Sequence, residues 1–265
     1  LAQADLLEDG PSPQLSNRMV RITRTHITLE GTHHDFRNNL GSFRRRDINR
    51  YRSFGGRPGT RGRGASGDTA PWALSREVED LDAVIATAGG SACVFGTSAG
   101  AIFALQAAAG SAITKMVLWE PPFVVDDSRT PPPSDYATRL ESFVTDGRQS
   151  DALEYFFTQA VGMPAEIVGS MKSAPFWSAM EKLIPALVYD AKIIGDFAVP
   201  ANVSTITTST LVLDGATTPW ITAGAAATAT AILNSARQTL AGQPHNVAAD
   251  AIAPVITDFF NGAES

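Results

Sequence analysis

The stretch Ala92-Cys93-Val94-Phe95-Gly96-Thr97-Ser98-Ala99-Gly100-Ala101-Ile102-Phe103-Ala104-Leu105 decides how this chain is read. Its first four residues form a continuous apolar run, too short for a helix and closed by a glycine. That is the pattern of a parallel strand buried on both faces. From Ala99 the chain is alanine-rich, with Ile102, Phe103 and Leu105 interspersed, and Gly110 closes it, which predicts a buried helix over 99–109. The turn between them, Gly96-Thr97-Ser98-Ala99-Gly100, has the form G-x-S-x-G in its required context of strand before and helix after. Glycines two residues to either side of the serine let the backbone bend sharply without Cβ clashes. The N-terminus of the following helix favours a developing negative charge. Ser98 is therefore the candidate nucleophile and Ala99 N–H a candidate oxyanion donor, on a turn built by Gly96, Thr97 and Gly100.

Working outward, Ser75 is a candidate N-cap with Glu77, Glu79 and Asp80 in the first turn, and Val78, Leu81, Val84, Ile85 and Ala88 fall at helical spacing. Ile113–Trp119 reads as a second buried strand, ended by Pro121-Pro122, so strand, helix and strand make a right-handed βαβ unit. Residues 134–200 are helical in pattern and hold nine of the 21 aromatics and three of the five methionines. Thr210–Asp214 resumes the buried-strand pattern, Ile221 to Leu240 gives a helix and a last short strand, and Ala248 to Phe260 a closing helix. The class is α/β, with a helical insertion in a parallel framework.

A serine hydroxyl needs a base to take its proton, and the base needs an orienting acid. Beyond residue 34 the chain has one histidine, His245, in Gly242-Gln243-Pro244-His245-Asn246 just before the last helix. Asp214, at the end of a strand in Leu211-Val212-Leu213-Asp214-Gly215, is the candidate acid, and Asp126 and Asp127 are held in reserve. Cys93, on the buried strand, reads as a small hydrophobe.

Arg61-Gly62-Arg63-Gly64-Ala65-Ser66-Gly67-Asp68, the G-T-S-A-G turn, Trp119-Glu120-Pro121-Pro122-Phe123, L-V-L-D-G and G-Q-P-H come in an order that resembles the α/β-hydrolase superfamily over residues 61–265. The resemblance implies an α/β-hydrolase fold, a mostly parallel sheet with helices on both faces, made by residues 61–133 and 201–265. It makes 134–200 a helical cap. It implies a Ser98–His245–Asp214 triad that cleaves a carboxylic ester or related acyl compound through an acyl-enzyme, without cofactor or metal. Serine at position 98 sets the chain apart from the haloalkane dehalogenases and epoxide hydrolases of this fold, which carry aspartate there. The second oxyanion donor belongs to a loop before residue 61 that the sequence does not reveal. A non-catalytic member of the fold, lacking a complete oxyanion hole, is the alternative reading.

The net charge of −6 over 265 residues is unevenly divided. Residues 1–63 carry 12 arginines, no lysine and 6 acids, a balance of +6, whereas the remainder balances at −12. Residues 1–60 also lack buried apolar runs. Three readings stand: a poorly ordered basic head, a nucleic-acid-binding arm built on Arg44-Arg45-Arg46, Arg50 and Arg52, and a segment translated out of frame, which the exclusive use of arginine favours. No nucleic-acid partner is expected. Met19 to Leu29 has the β character of a strand or two. His33 and His34, adjacent in a strand-like stretch, point to opposite faces and predict no shared metal. A single cysteine makes no intrachain disulfide. No apolar run approaches the ~18 residues of a membrane span, and Leu1–Gln14 lacks signal-peptide character, so the cytoplasm is the expected location. The expected partner is a small molecule with an apolar acyl or alcohol group.

Overall fold

The computed structural model of the chain describes residues 6–7, 19–23, 68, 70–87 and 89–262. The apolar runs become neighbouring strands of a six-stranded sheet whose order follows the chain: β1 (Leu6–Leu7), β2 (Met19–Thr23), β3 (Ala92–Thr97), β4 (Ile113–Trp119), β5 (Ser209–Asp214) and β6 (Ser235–Thr239). All neighbours are parallel except β1, which pairs antiparallel with β2. Successive residues of a strand face opposite sides of the sheet. On β4, Met116 and Leu118 accordingly enter one apolar cluster, and Val117 and Trp119 the other. Helices α1 (Leu74–Thr87), α2 (Ala99–Ala107) and α8 (Pro219–Ala231) pack into the first cluster through Leu81, Ile85, Ile102, Phe103 and Ala225. Helix α9 (Ala249–Asn261) covers the second face with Ile252, Ile256 and Phe260. The doubly covered sheet explains why the central stretches Ala92–Phe95, Met116–Trp119 and Leu211–Leu213 are apolar throughout rather than alternating.

Five short helices lie between β4 and β5: α3 (Tyr136–Thr145), α4 (Gln149–Tyr155), α5 (Ala165–Met171), α6 (Trp177–Glu181) and α7 (Ile184–Ile194). They share an apolar cluster of their own, which includes Leu140, Leu153, Phe157, Trp177, Met180 and Leu187. Trp177 and Met180 are buried in this core, with the Trp177 indole donating to Ser150 Oγ at 2.8 Å. Helix α4 runs on into a wider π-type turn over Phe156–Val161, which ends at Gly162 with φ of 80°. Two of its terminal carbonyls, on Gln159 and Ala160, accept hydrogen bonds from Arg129 Nη2 at 2.6 and 2.7 Å. The Arg129 guanidinium also lies 4.2 Å from the centre of the Trp220 ring. One arginine thus supplies donors to carbonyls that a helix end leaves unpaired and ties the insertion to the start of α8.

The element boundaries follow the apolar pattern closely, with two differences of substance. Helix α1 starts at Leu74, so Ser75 lies inside it rather than capping it. Its first-turn acid Glu77 is buried and accepts a hydrogen bond from Trp72 Nε1 at 2.6 Å. At the other end of the chain, Met19–Thr23 is one strand, parallel to β3, with Thr23 opposite Thr97. A strand therefore stands beside β3, the strand that leads into Ser98. The arginine-rich stretch, the His33-His34-Asp35 cluster and, apart from Asp68, the Arg61–Asp68 landmark lie outside the described residues.

Leu118, with no exposed surface, sits where β4 meets the first apolar cluster. Leu118→Ala should lower the unfolding free energy by about 2–5 kcal/mol, read from urea denaturation. A Cβ on Gly224 of α8 would overlap the Phe123 carbonyl oxygen. Gly224→Ala should accordingly cost about 1–3 kcal/mol in the same assay, despite the higher helix propensity of alanine.

Candidate active site

Ser98 joins β3 to α2 with φ of 54° and ψ of −125°. This is a sparsely populated conformation for a residue with a side chain, and such strain persists only where surrounding contacts enforce it. Ser98 N–H donates to the Trp119 carbonyl at 2.9 Å, which anchors the turn to β4. Gly96 permits the close passage of α2 below: a Cβ there would sit 2.5 Å from the Gly100 carbonyl oxygen. Ser98 holds the N-cap position of α2, yet its side chain makes no capping hydrogen bond. Its hydroxyl is therefore not committed to the helix. Ala99 is the first helical residue, and the first N–H groups of a helix have no intrahelical acceptor. Its amide is thus placed to act on an oxyanion. Gly100 is buried beneath the turn, and Thr97, half-buried, ends β3.

The loop carrying His245 is zipped onto the end of β5. Leu240 N–H donates to the Asp214 carbonyl at 2.7 Å and Gly242 N–H to the Gly215 carbonyl at 2.9 Å. Gly215 has to be glycine here, because any Cβ would collide with the Gln243 carbonyl. Trp119 then fixes the histidine itself, its indole N–H donating to the His245 carbonyl at 2.8 Å. Ser98 and His245, far apart in sequence, are anchored on one residue.

Two buried carboxylates end adjacent strands here, and they are used differently. Asp214 is fully buried, with Oδ2 at 2.9 Å from Arg237 Nε and 2.8 Å from Arg237 Nη2. Its Oδ1 accepts from Ala216 N–H and Thr239 Oγ1, both at 3.2 Å. The expectation that Asp214 faces His245 is corrected by these contacts: β6 stands beside β5 with Thr239 opposite Asp214, and Arg237, two residues earlier, takes its charge. The carboxylate that meets the imidazole belongs to Glu120, whose Oε2 lies 2.6 Å from His245 Nδ1. Glu120 Oε1 accepts from Gly215 N–H at 2.9 Å, so both its oxygens are engaged. The Glu120 side chain is 1% exposed and the imidazole 45%. Glu120 is also a left-handed residue, with φ of 47°, and its N–H donates to the Leu213 carbonyl at 2.9 Å. The sequence signal for this residue was present, a carboxylate immediately after a buried strand, as at Asp214.

The reserve candidates lie elsewhere. Asp126 and Asp127 are exposed, and Asp126 accepts hydrogen bonds from the amide and hydroxyl of Ser128, which hold its carboxyl below the usual range. Cys93 is buried on β3 beside Thr114, and burial pushes its thiol pKa up, away from the reactive thiolate. Among the described residues, no group of three or more His, Cys, Asp or Glu side chains is placed to hold a metal ion. No helix among them is long and apolar enough to cross a membrane.

Comparison with known proteins bears on this arrangement as a whole. A family model described as the alpha/beta hydrolase family matches residues 18–255. No curated protein matches the chain. Among solved structures, that of an alpha/beta hydrolase from Sphaerobacter thermophilus is 48% identical, with a TM-score of 0.69 over 76% of this chain and 80% of that one. An esterase from Exiguobacterium antarcticum shares the fold at 16% identity, with a TM-score of 0.54 over 78% of this chain and 80% of that one. MenH from S. aureus shares it at 17% identity, with a TM-score of 0.51 over 77% and 82%. The family match begins at residue 18, well ahead of the landmarks that start at Arg61. It takes in β2 beside β3 as well as the sheet that follows, and on that extent the chain belongs to the alpha/beta hydrolase family.

Proposed function

We propose that this protein is a serine hydrolase that cleaves a carboxylic ester or related acyl compound, with Ser98 as nucleophile and His245 as general base. The observation that carries the reading is the backbone of Ser98, held at φ of 54° between β3 and α2 with its hydroxyl uncommitted to the helix. A turn strained in this way exposes Oγ above the sheet ends and keeps helix amides beneath it. Engagement of His245 Nδ1 by a carboxylate leaves Nε2 as the nitrogen for proton transfer.

In the acylation half, Ser98 Oγ attacks the substrate carbonyl carbon while His245 Nε2 takes the hydroxyl proton. Negative charge collects on the carbonyl oxygen, where the Ala99 N–H and the α2 N-terminus oppose it. The tetrahedral species collapses as the C–O bond to the leaving alcohol breaks and His245 returns the proton to that oxygen. Water then attacks the acyl-Ser98 ester, His245 again accepts a proton, and the acid product leaves with Ser98 restored. Every step uses groups of the chain and water.

The helices α3 to α7 take the role of a cap over this site. An apolar acyl or alcohol group is the matching substrate part. Four large hydrophobic side chains that remain exposed, Val125, Val161, Ile167 and Phe176, lie on this insertion or on the segment entering it. The expected partner is accordingly a small apolar ester in the surrounding solution.

A fluorophosphonate probe should label the wild-type protein and leave Ser98→Ala unlabelled. Turnover of p-nitrophenyl esters should fall by about 10⁶-fold in Ser98→Ala. Across esters of increasing acyl length kcat/KM should rise before it levels off. Equal labelling of the wild type and Ser98→Ala would remove Ser98 as the nucleophile.

A further inference from the structure

We infer that Glu120, not Asp214, is the positioning residue for His245, and that Asp214 anchors the neighbouring edge strand. This rests on the reading of Ser98 and His245 as nucleophile and base, and it supplies the acid that such a pair requires.

The geometry separates the two carboxylates on three counts. Glu120 Oε2 is 2.6 Å from His245 Nδ1, while the partners of Asp214 are Arg237, Thr239 and the Ala216 amide. A carboxylate only accepts hydrogen bonds, so the Glu120 contact assigns the proton of the neutral imidazole to Nδ1. Nε2 then carries the lone pair that receives the Ser98 proton. Charge is the second count. Asp214 already faces the two guanidinium nitrogens Nε and Nη2 of Arg237. Glu120 has an uncharged amide on one oxygen and the imidazole on the other. When His245 becomes imidazolium, the unneutralised buried carboxylate beside it is the one that stabilises the new charge. Positioning is the third. Glu120 is held by its own φ of 47°, by its N–H on Leu213 O, and by the Gly215 amide on Oε1. Its rotamer is thereby fixed with little freedom left to lose in the transition state.

The substitution Glu120→Gln keeps shape and the Gly215 contact but turns a donor toward Nδ1. The imidazole proton then moves to Nε2, the wrong nitrogen for accepting a proton from Ser98. The fluorophosphonate labelling rate of Glu120→Gln should fall by about 10³–10⁴-fold, with partial recovery in Glu120→Asp. Asp214→Asn should melt at a lower temperature, while its folded fraction labels within tenfold of wild type.

Proton NMR on protein with ¹⁵N-labelled histidine supplies a readout that a merely structural role would not move. A downfield His245 Nδ1–H resonance should be present in the wild type and in Asp214→Asn, and absent from Glu120→Gln. In the wild type, with no variant needed, that proton should show cross-relaxation to Gly215 N–H, which shares the same carboxylate. Cross-relaxation to the Arg237 Nε–H instead would overturn the inference, whether or not any variant folds. So would a folded Glu120→Gln that keeps the resonance and labels at the wild-type rate. If Ser98→Ala labels like the wild type, the nucleophile reading fails, and the NMR result still decides which carboxylate holds the histidine.

Discussion

The hydrogen bonds at the C-terminal end of β4 hold the site in one piece. Trp119 accepts from Ser98 N–H through its carbonyl and donates to the His245 carbonyl through its indole. The next residue, Glu120, donates its N–H to Leu213 and takes the Gly215 amide and His245 Nδ1 on its two oxygens. Two consecutive residues therefore bind the strained turn after β3, the end of β5 and the histidine loop. Trp119 and Glu120 are both fully buried, so their side of each bond is shielded from water even where the partner, His245, is half-exposed. A polar group left unpaired in such a place would cost more than the net worth of the bond itself. That asymmetry makes the arrangement self-enforcing: each partner is required by the others.

Much of this was legible in the sequence because burial leaves a continuous apolar signature. Ala92–Phe95, Met116–Trp119 and Thr210–Leu213 are buried, and a stretch so enclosed admits almost no polar residue. The G-T-S-A-G turn was legible for a related reason. Gly96 is demanded by the 2.5 Å approach of the Gly100 carbonyl, and no other residue type fits the space. His245 was found by order along the chain alone. What the sequence could not show is where a polar side chain in a buried place finds its partner. Glu77 reads in sequence only as a first-turn acid, and the structure buries it against Trp72, five residues before it. The partner lies on an adjacent irregular segment, to which helix periodicity is blind.

The two strand-end carboxylates show the same limit at the site. Glu120 and Asp214 look alike locally, each beside the end of a buried parallel strand. Their roles diverge through Arg237, on a strand whose side chains are mostly exposed and whose register places Thr239 opposite Asp214. Nothing near Asp214 in sequence announces that arginine. The choice of acid is therefore a tertiary property, fixed by the register between β5 and β6 rather than by either motif.

This division of labour has a geometric logic. Neighbouring strands in a sheet lie about 4.8 Å apart, and β4 is the direct neighbour of β3, whereas β5 is one strand farther from Ser98. An acid on β4 is related to Ser98 through one strand pairing, which the Ser98–Trp119 hydrogen bond itself closes. An acid on β5 would depend on two pairings and on the errors of both. Asp214 is then available for a different task. By binding Arg237 and Thr239 it fastens β6 to β5, and its carbonyl takes Leu240 N–H at the root of the histidine loop. The two carboxylates thus serve one histidine: Glu120 by direct contact with the ring, and Asp214 by fixing where the loop that carries the ring begins.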